Sequence, residues 1–512
     1  MIKKKQESII CPFCCHKFHP NEADFRLSSP ITPNDEKGNK KPATSGMELD
    51  NKLYEYNLKI LNNHPDFARK NAIKFLAFSL HNESVSYNQD DIAKYGFVQH
   101  ITYTSPQGLQ IISDIRLCPN CHNGLPTGYG MRDTLLVSIL GDARAGKSVF
   151  LTMLIAELEN NSDFVSKLTF IGDKQVKDNF YENYQKPLFK EHTLISSTKR
   201  RKIPPYSFNY WYQYKDESGV DRENAIDIIF YDIAGEDLRD EVGIRKNGFN
   251  IKDSSGLIFL VDPTNFCRLT DLFRLSDAAL IDAIPEDNST QTIFNTLYNY
   301  FIGFEKDKSN IPLALVLSKS DLFRYIHFDY FNNKPENRIQ YRFPEEAHRG
   351  AINMRCVKGL NQEVRELLSY LGEDSIINNA LGCFKTVTCF AASSLGKKPT
   401  VEQISDPLTN ETIEKGFIDG PLLPFRVKEA FYWILMRNQL LYKYENNHYI
   451  MYGESDEIKK DNNQLAKTAK IKSTSPTLWV RISNFFSSLI KRREDNTITS
   501  EIVEISEKDD NG

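Results

Sequence analysis

The stretch LLVSILGDARAGKSVF, residues 135–150, decides the fold. Its first six residues are a near-continuous apolar run, the length and texture of a strand buried on both faces. GDARAGKS at 141–148 then fits the pattern G-x-x-x-x-G-K-[ST], and an apolar helix is expected to begin near Val149. Strand, glycine loop and helix in that order make a phosphate cradle. The glycines let the backbone wrap so that several N–H groups converge, and the helix N-terminus adds a favourable dipole. The expected phosphate-binding residues are Gly141, Asp142, Ala143, Arg144, Ala145, Gly146, Lys147, Ser148 and Val149. Lys147 is expected to neutralise the β and γ phosphates, in binding and in catalysis, and Ser148 to offer a hydroxyl to Mg²⁺.

Outward from this loop, short apolar runs recur: IDIIFY at 226–231, GLIFLV at 256–261, LALVL at 313–317 and KTVTCF at 385–390. Such runs, separated by longer mixed segments, predict an α/β domain with a mostly parallel sheet and helices on both faces, closed by a helix over 427–437. Three of the runs end in chemistry. Asp232, in DIAG at 232–235, can hold Mg²⁺ through water, and Gly235 can offer its N–H to a γ-phosphate. In SKSD at 318–321, a carboxylate at Asp321 can accept two hydrogen bonds from guanine N1–H and the exocyclic amine, a donor pair that adenine lacks. That points to GTP, with Ser318 and Lys319 in the same loop. ASSLG at 392–396 follows the last run, where a backbone N–H near Ser393 or Ser394 can reach guanine O6.

The order of these motifs resembles the Ras-like P-loop GTPases of the translation-factor-related class. More narrowly, YDIAGED at 231–237, SKSD at 318–321, FAASSLG at 390–396 and FRVKEAFYWIL at 425–435 resemble the bacterial double-GTPase families of conflict systems, over roughly residues 118–437. The resemblance implies a GTP-controlled switch that acts on a partner, with a defence role as an expectation. It also implies that the residue after the DIAG glycine, Glu236, orients the attacking water where Gln is familiar. A carboxylate cannot donate to the transferring phosphoryl group, so slow turnover is expected without help. The missing positive charge is expected from Arg144, from Arg200 or Arg201, or from another protein. Thr198 is the candidate switch threonine for Mg²⁺, with Thr193 the alternative. Ser318 stands where Asn or Thr is usual, and Ser394 where Ala is common.

Cys11 and Cys14, in CPFC, and Cys118 and Cys121, in CPNC, each form a turn able to present two thiolates to one tetrahedral Zn²⁺. Together they predict a zinc ribbon whose halves are separated by a 103-residue insertion. Loop-closure entropy grows only logarithmically, so the length is tolerable. His16, His19 and His122 are near enough to replace one thiolate. Residues 28–47 read as a linker, 53–80 as helices interrupted at His64 and Pro65, and 97–104 with 109–117 as a hairpin that delivers the second cysteine pair.

The domains expected are therefore a zinc-ribbon-like module with helical and hairpin insertion over 1–125, a P-loop GTPase over 130–440, and a linker, amphipathic helix and acidic tail over 441–512. The 512 residues carry 64 Lys plus Arg against 68 Asp plus Glu, which argues against a whole-surface footprint for nucleic acid. Nine cysteines are too sparse for a disulfide scaffold. With no apolar leader and no run long enough to span a bilayer, a cytoplasmic protein is expected. Leu478, Trp479, Ile482, Phe485, Phe486, Leu489 and Ile490 recur at helical spacing before three basic residues at 491–493. That helix is read as packing on its own domain, docking on a partner, or lying on an anionic membrane. Three functions stay open: a hydrolysing switch that works through a protein partner or self-association, a nucleotide-dependent scaffold or sensor without useful hydrolysis, and a zinc-ribbon nucleic-acid binder regulated by GTP.

Overall fold

A computed structural model of the chain describes residues 8–29, 47–60, 64–142, 144–161, 163–171, 174–195, 206–247, 249–267, 269, 289–302, 307–325, 327–328, 339–340, 348, 350–405, 412–445 and 448–450. Ala143, Thr198, Arg200, Arg201, most of the 28–47 linker, and the amphipathic and acidic C-terminal segments lie outside the described residues.

The centre is a seven-stranded sheet. Its strands are β1 (Asp133–Gly141), β2 (Ser166–Ile171), β3 (Tyr206–Lys215), β4 (Asp221–Asp232), β5 (Gly256–Val261), β6 (Leu313–Leu317) and β7 (Val387–Ala391). Their spatial order is β2-β3-β4-β1-β5-β6-β7. The pairs β4–β1, β1–β5, β5–β6 and β6–β7 are parallel, while β2–β3 and β3–β4 are antiparallel. Every residue of β5 and β6 is buried, which explains their unbroken apolar sequence. Among the helices are α1 (Lys147–Glu159), α2 (Ser289–Ile302), α3 (Met354–Tyr370), α4 (Asp374–Cys383) and α5 (Glu429–Arg437).

Side chains alternate across a strand, so two contacts on β5 place helices on opposite faces. Phe259 stacks on Phe294 of α2, ring centroids 4.6 Å apart. Gly256 faces α5, so closely that an added Cβ would lie 2.6 Å from Cγ2 of Ile434. In α5, every residue from Ala430 to Met436 is buried, and Phe431 meets Tyr210 of β3 and Phe230 of β4.

The edge pair β2 and β3 is absent from the sequence expectations. In β3, Phe208, Tyr210, Tyr212 and Tyr214 are buried on alternate positions. Aromatic alternation, rather than an aliphatic run, builds this strand.

The N-terminal module corrects several expected boundaries. Helices cover Asn51–Ile60 and Pro65–Asn71, but Ile73–Phe75 and Ala77–Phe78 are strands rather than helix. The expected hairpin over 97–117 forms only between Ile101–Thr104 and Gln110–Ser113. Ile115–Leu117 belongs to a different sheet, paired with Asp24–Arg26. The break falls at Ser113, whose hydroxyl donates to the Arg26 carbonyl and accepts from the Ile115 N–H. Residues up to Gly453 form one compact unit that includes both the cysteine module and the sheet. No helix among the described residues is long and apolar enough to cross a membrane.

Gly256→Ala should cost about 1–3 kcal/mol of unfolding free energy through overpacking against Ile434. Denaturant titration of Gly256→Ala, Ile434→Ala and the double variant should show the pair costing less than the sum of the singles.

Candidate functional site

The phosphate loop leaves β1 at Gly141, whose φ is 143°. A Cβ here would sit 2.5 Å from the Leu260 carbonyl oxygen on β5, so only glycine lets the chain pass. Arg144 (φ 67°) and Gly146 (φ 83°) complete the turn, and Gly146 caps α1. Lys147 is buried, its Nζ donating to the carbonyls of Gly141 (3.0 Å) and Asp142 (2.7 Å). Burial pushes its pKa below the ordinary lysine range, against the opposing fields of Asp232, Asp142 and Glu236.

The register that sets Ile139 beside Asp232 brings the end of β4 to the start of α1. Ser148 Oγ donates to Asp232 Oδ2 at 2.6 Å. The other oxygen, Asp232 Oδ1, is buried with no hydrogen-bond partner among the described residues. Burial raises the Asp232 pKa, with Lys147 and Ser148 pulling the other way. A hydroxyl and a carboxylate with a spare buried oxygen, beside a phosphate loop, suit a hard divalent cation such as Mg²⁺. Gly235 opens a one-turn helix, Gly235–Leu238, and Glu236 is exposed on it. Arg144 is also exposed. Thr193, the alternative to Thr198, is buried, and its hydroxyl donates to the Pro187 carbonyl at 3.4 Å.

The expected base-binding loops meet at the ends of β6 and β7. Ser393 Oγ donates to Asp321 Oδ1 at 2.5 Å, and Gly396 N–H donates to Ser393 Oγ at 2.9 Å. Asp321 is thereby held in a buried, fixed orientation. Ser393 acts through its side chain, because its own N–H is spent on the Phe425 carbonyl at 3.1 Å. That exchange ties the loop to the start of α5, where Arg426 and Glu429 form a buried two-pronged ion pair at 2.8 Å. Ser318, in place of the usual amide, bonds back to the Val261 carbonyl at 2.9 Å. Lys319 (φ 49°) pairs with Asp262 at 2.6 Å. Asp262 went unread in the sequence, although it follows the buried run of β5 much as Asp232 ends β4. Ser394 is half-buried at the rim.

Far along the chain from these loops, Cys11, Cys14, Cys118 and Cys121 gather with their Sγ atoms all within 4.8 Å of one another. The 3.7 Å Cys11–Cys121 and 3.6 Å Cys14–Cys118 approaches bring the two turns together. Four thiolates at this spacing fit a tetrahedral Zn²⁺ site of the zinc-ribbon kind. None of the three histidines is needed. His122 places Nδ1 2.9 Å from Asp50 and Nε2 2.9 Å from Asp24, His19 caps the short helix at Pro20–Glu22, and His16 stacks on Phe18. Burial pushes the Cys15 thiol up to about 12, and its Sγ lies 3.3 Å from the Tyr231 hydroxyl.

The family comparison covers the phosphate loop and the strands around it. Residues 135–367 match the model of the family Double-GTPase 2. Over this segment the chain is similar to the double-GTPases. "Putative ESX-1 scaffolding and assembly protein SaeC" of Mycolicibacterium smegmatis is 23% identical over 344 residues, spanning 62% of this chain and 79% of the relative. Among solved structures, the S. cerevisiae Ski7 GTPase-like domain bound to GTP covers 60% of this chain and 50% of its own at 16% identity, TM-score 0.25. The signal recognition particle receptor SRb-GTP/SRX complex from Chaetomium thermophilum covers 52% and 93% at 14% identity, TM-score 0.22. The matched segment contains the phosphate loop, DIAG and SKSD, and the chain carries a GTP-binding domain of P-loop GTPase fold.

Asp232→Asn should stabilise the nucleotide-free protein by about 1–2 kcal/mol, because it removes a buried carboxylate only half satisfied. The raised Asp232 pKa favours folding below the ordinary carboxylate range, and that contribution fades as pH rises through the higher folded value, so the gain should be largest near neutral pH. The same variant should lose the Mg²⁺-dependent tightening of GTP, read by thermal unfolding with and without the cation. Elemental analysis should find one zinc per chain in wild type and Cys15→Ser, and none in Cys118→Ser.

Proposed function

We propose that this double-GTPase binds GTP with Mg²⁺, hydrolyses it slowly on its own, and uses the nucleotide state to control a protein partner. The observation that carries the reading is the Ser393–Asp321 bond, which fixes a buried carboxylate in the position where SKSD and ASSLG would read guanine. Asp321 accepts from the base. The phosphate loop supplies N–H donors, and Lys147 exchanges the carbonyls of Gly141 and Asp142 for phosphate oxygens. Ser148 and Asp232 are the residues that would hold Mg²⁺, directly or through water, and Thr198 is the proposed third contributor. When bound, that ion neutralises charge on the β and γ phosphates.

Glu236 is proposed to accept a hydrogen bond from the attacking water. Its exposure leaves the carboxylate screened by solvent and accessible to a second protein. A carboxylate also repels the transferring phosphoryl group, which is why turnover is expected to be slow. We place the protein in the cytoplasm, in a defence or conflict setting, and assign the four cysteines to a structural Zn²⁺.

A second reading is a nucleotide-dependent scaffold with little useful turnover. It is favoured by the 23% identity to a relative whose name describes scaffolding and assembly. Phosphate release across a range of protein concentrations separates the two: the switch accelerates with self-association or added partner, and the scaffold does not.

Asp321→Asn should weaken GTP by roughly 1–3 kcal/mol and favour xanthosine triphosphate, measured by competition with a fluorescent nucleotide. Wild-type protein that binds ATP as tightly as GTP would overturn the guanine assignment.

A further inference from the structure

Four residues beyond the DIAG glycine, Arg239 ends the one-turn helix Gly235–Leu238. Its backbone is pinned from both sides: its N–H donates to the Glu236 carbonyl at 3.4 Å, and its own carbonyl accepts from Thr296 Oγ1 of α2 at 3.1 Å. From that anchor the side chain reaches back to the phosphate loop, where Nη2 lies 3.2 Å from Asp142 Oδ1. Asp142 is the second residue of GDARAGKS, and its carbonyl is one of the two that hold Lys147 Nζ. A guanidinium and an ammonium therefore converge on one residue of the loop, the ammonium from five residues further along the chain and the guanidinium from 97.

The charge balance gives this contact its meaning. A carboxylate whose side chain is only 5% exposed, built into a loop that must receive phosphates, repels its ligand unless a cation offsets it. Lys147 alone cannot serve both Asp142 and the incoming phosphates. The Arg239 side chain remains 41% exposed, so its guanidinium is not enclosed by the contact. A guanidinium has five N–H donors in a planar fork, and one bond to Asp142 leaves others for phosphate oxygens. Arg144 has the opposite character: it sits on the loop in an exposed left-handed turn, and no carboxylate among the described residues aims it.

We propose that Arg239 is the guanidinium this chain itself presents to the γ-phosphate, aimed by Asp142. The inference rests on the GTP-binding reading and deepens it, because it supplies from within the chain the positive charge that Glu236 cannot. In the reaction, water adds to the γ-phosphorus while the bond to the β–γ bridging oxygen breaks. GDP departs with that electron pair, and the water proton ends on the phosphate released. Arg239 takes no part in the proton inventory. It stabilises charge on the γ-phosphoryl oxygens, which are absent from GDP.

The test uses the full chain with Mg²⁺ and compares wild type with Arg239→Ala, Arg239→Gln and Arg239→Lys. The first readout is the ratio of affinities for GppNHp and GDP. Alanine and glutamine should lower that ratio about tenfold by weakening GppNHp while leaving GDP within about threefold, and lysine should fall between them and wild type. The second is single-turnover hydrolysis, which should drop by about 10²-fold or more in the same order, within reach of the 10³–10⁵ range for supplied arginines. An unchanged GppNHp to GDP ratio in both alanine and glutamine variants would overturn the proposal, whether or not wild type turns over. Failure of wild type to bind guanine nucleotides would instead overturn the GTP reading itself, and the proposal with it. Loss of GDP binding in all three variants would show Arg239 to be a fold residue and would also overturn it.

Discussion

Parallel pairing of β1 between β4 and β5 is the constraint on which the site depends. Ile139 lies opposite Asp232, Gly141 opposite Leu260, Val261 opposite Leu317, and Leu317 opposite Ala391. These registers bring the carboxyl ends of the strands to one edge of the sheet. The phosphate loop, DIAG, Asp262, SKSD and ASSLG all emerge there, as ligand-binding loops do in open α/β sheets. The pairing is hard to shift because β5 and β6 are buried throughout, and a one-residue slip would exchange the faces that α2 and α5 cover. The close approach of Gly141 to the Leu260 carbonyl fixes where the chain turns out of the sheet.

That edge is crowded with buried carboxylates: Asp142, Asp262 and Asp321 are each at most 4% exposed, and Asp232 Oδ1 is sealed without a partner among the described residues. Each has a named partner, respectively Arg239, Lys319, Ser393 and, through its other oxygen, Ser148. Buried charges carry a desolvation cost that their partners must offset, and replacing a whole buried pair with apolar groups is often neutral or stabilising. A protein selected for stability alone would not gather four of them at one edge. Their concentration at the strand ends, away from the apolar middle of the sheet, is the usual pattern in which function draws on stability.

The phosphate loop, the buried runs around it and the two Cys-x-x-Cys pairs are legible in the sequence because each rests on local chemistry at fixed spacing. A glycine loop after a buried run, or two Cys-x-x-Cys turns, means nearly the same thing wherever it occurs. Asp262 and Arg239 are not legible. Their partners, Lys319 and Asp142, are 57 and 97 residues away, and no short pattern marks a long-range ion pair. The strand β3 escapes notice because YSFNYWYQYK lacks the aliphatic run that announces a fully buried strand. The N-terminal insertion reads too simply as helix followed by hairpin, since its strands are two to four residues long and pair between distant segments, as Arg26 does with Ile115. For short strands of that kind, the partner and not the propensity decides the structure.

Two outlying elements also reach the nucleotide edge, and they do so through backbone contacts. The Tyr231 hydroxyl, one residue before Asp232, donates to the Pro12 carbonyl inside the first cysteine turn, and Tyr129 donates to the Ile10 carbonyl at 2.6 Å. The thiolate turn is thus seated on the last residues of β4, so whatever orders the four cysteines also orders the strand that carries Asp232. On the other side, the hairpin of Thr400–Ser405 and Thr412–Phe417 extends from the Asp321–Ser393 loops. It exchanges main-chain bonds with the segment just before residue 196: Leu194 N–H donates to Gly416 at 2.8 Å and Ile418 N–H donates to His192 at 2.8 Å. A Cβ at Gly416 would come within 2.5 Å of Leu194 Cδ1, so a larger residue would have to push that side chain aside. Thr193 bridges to Phe417, and Ser393 bridges to Phe425 a few residues further on. The loop of Ser393 and the segment of His192–Leu194 are therefore joined by one hydrogen-bonded ribbon. Displacing either end must break those bonds or carry the ribbon with it, which makes the two ends one mechanical unit although Thr193 and Ser393 stand far apart in the chain.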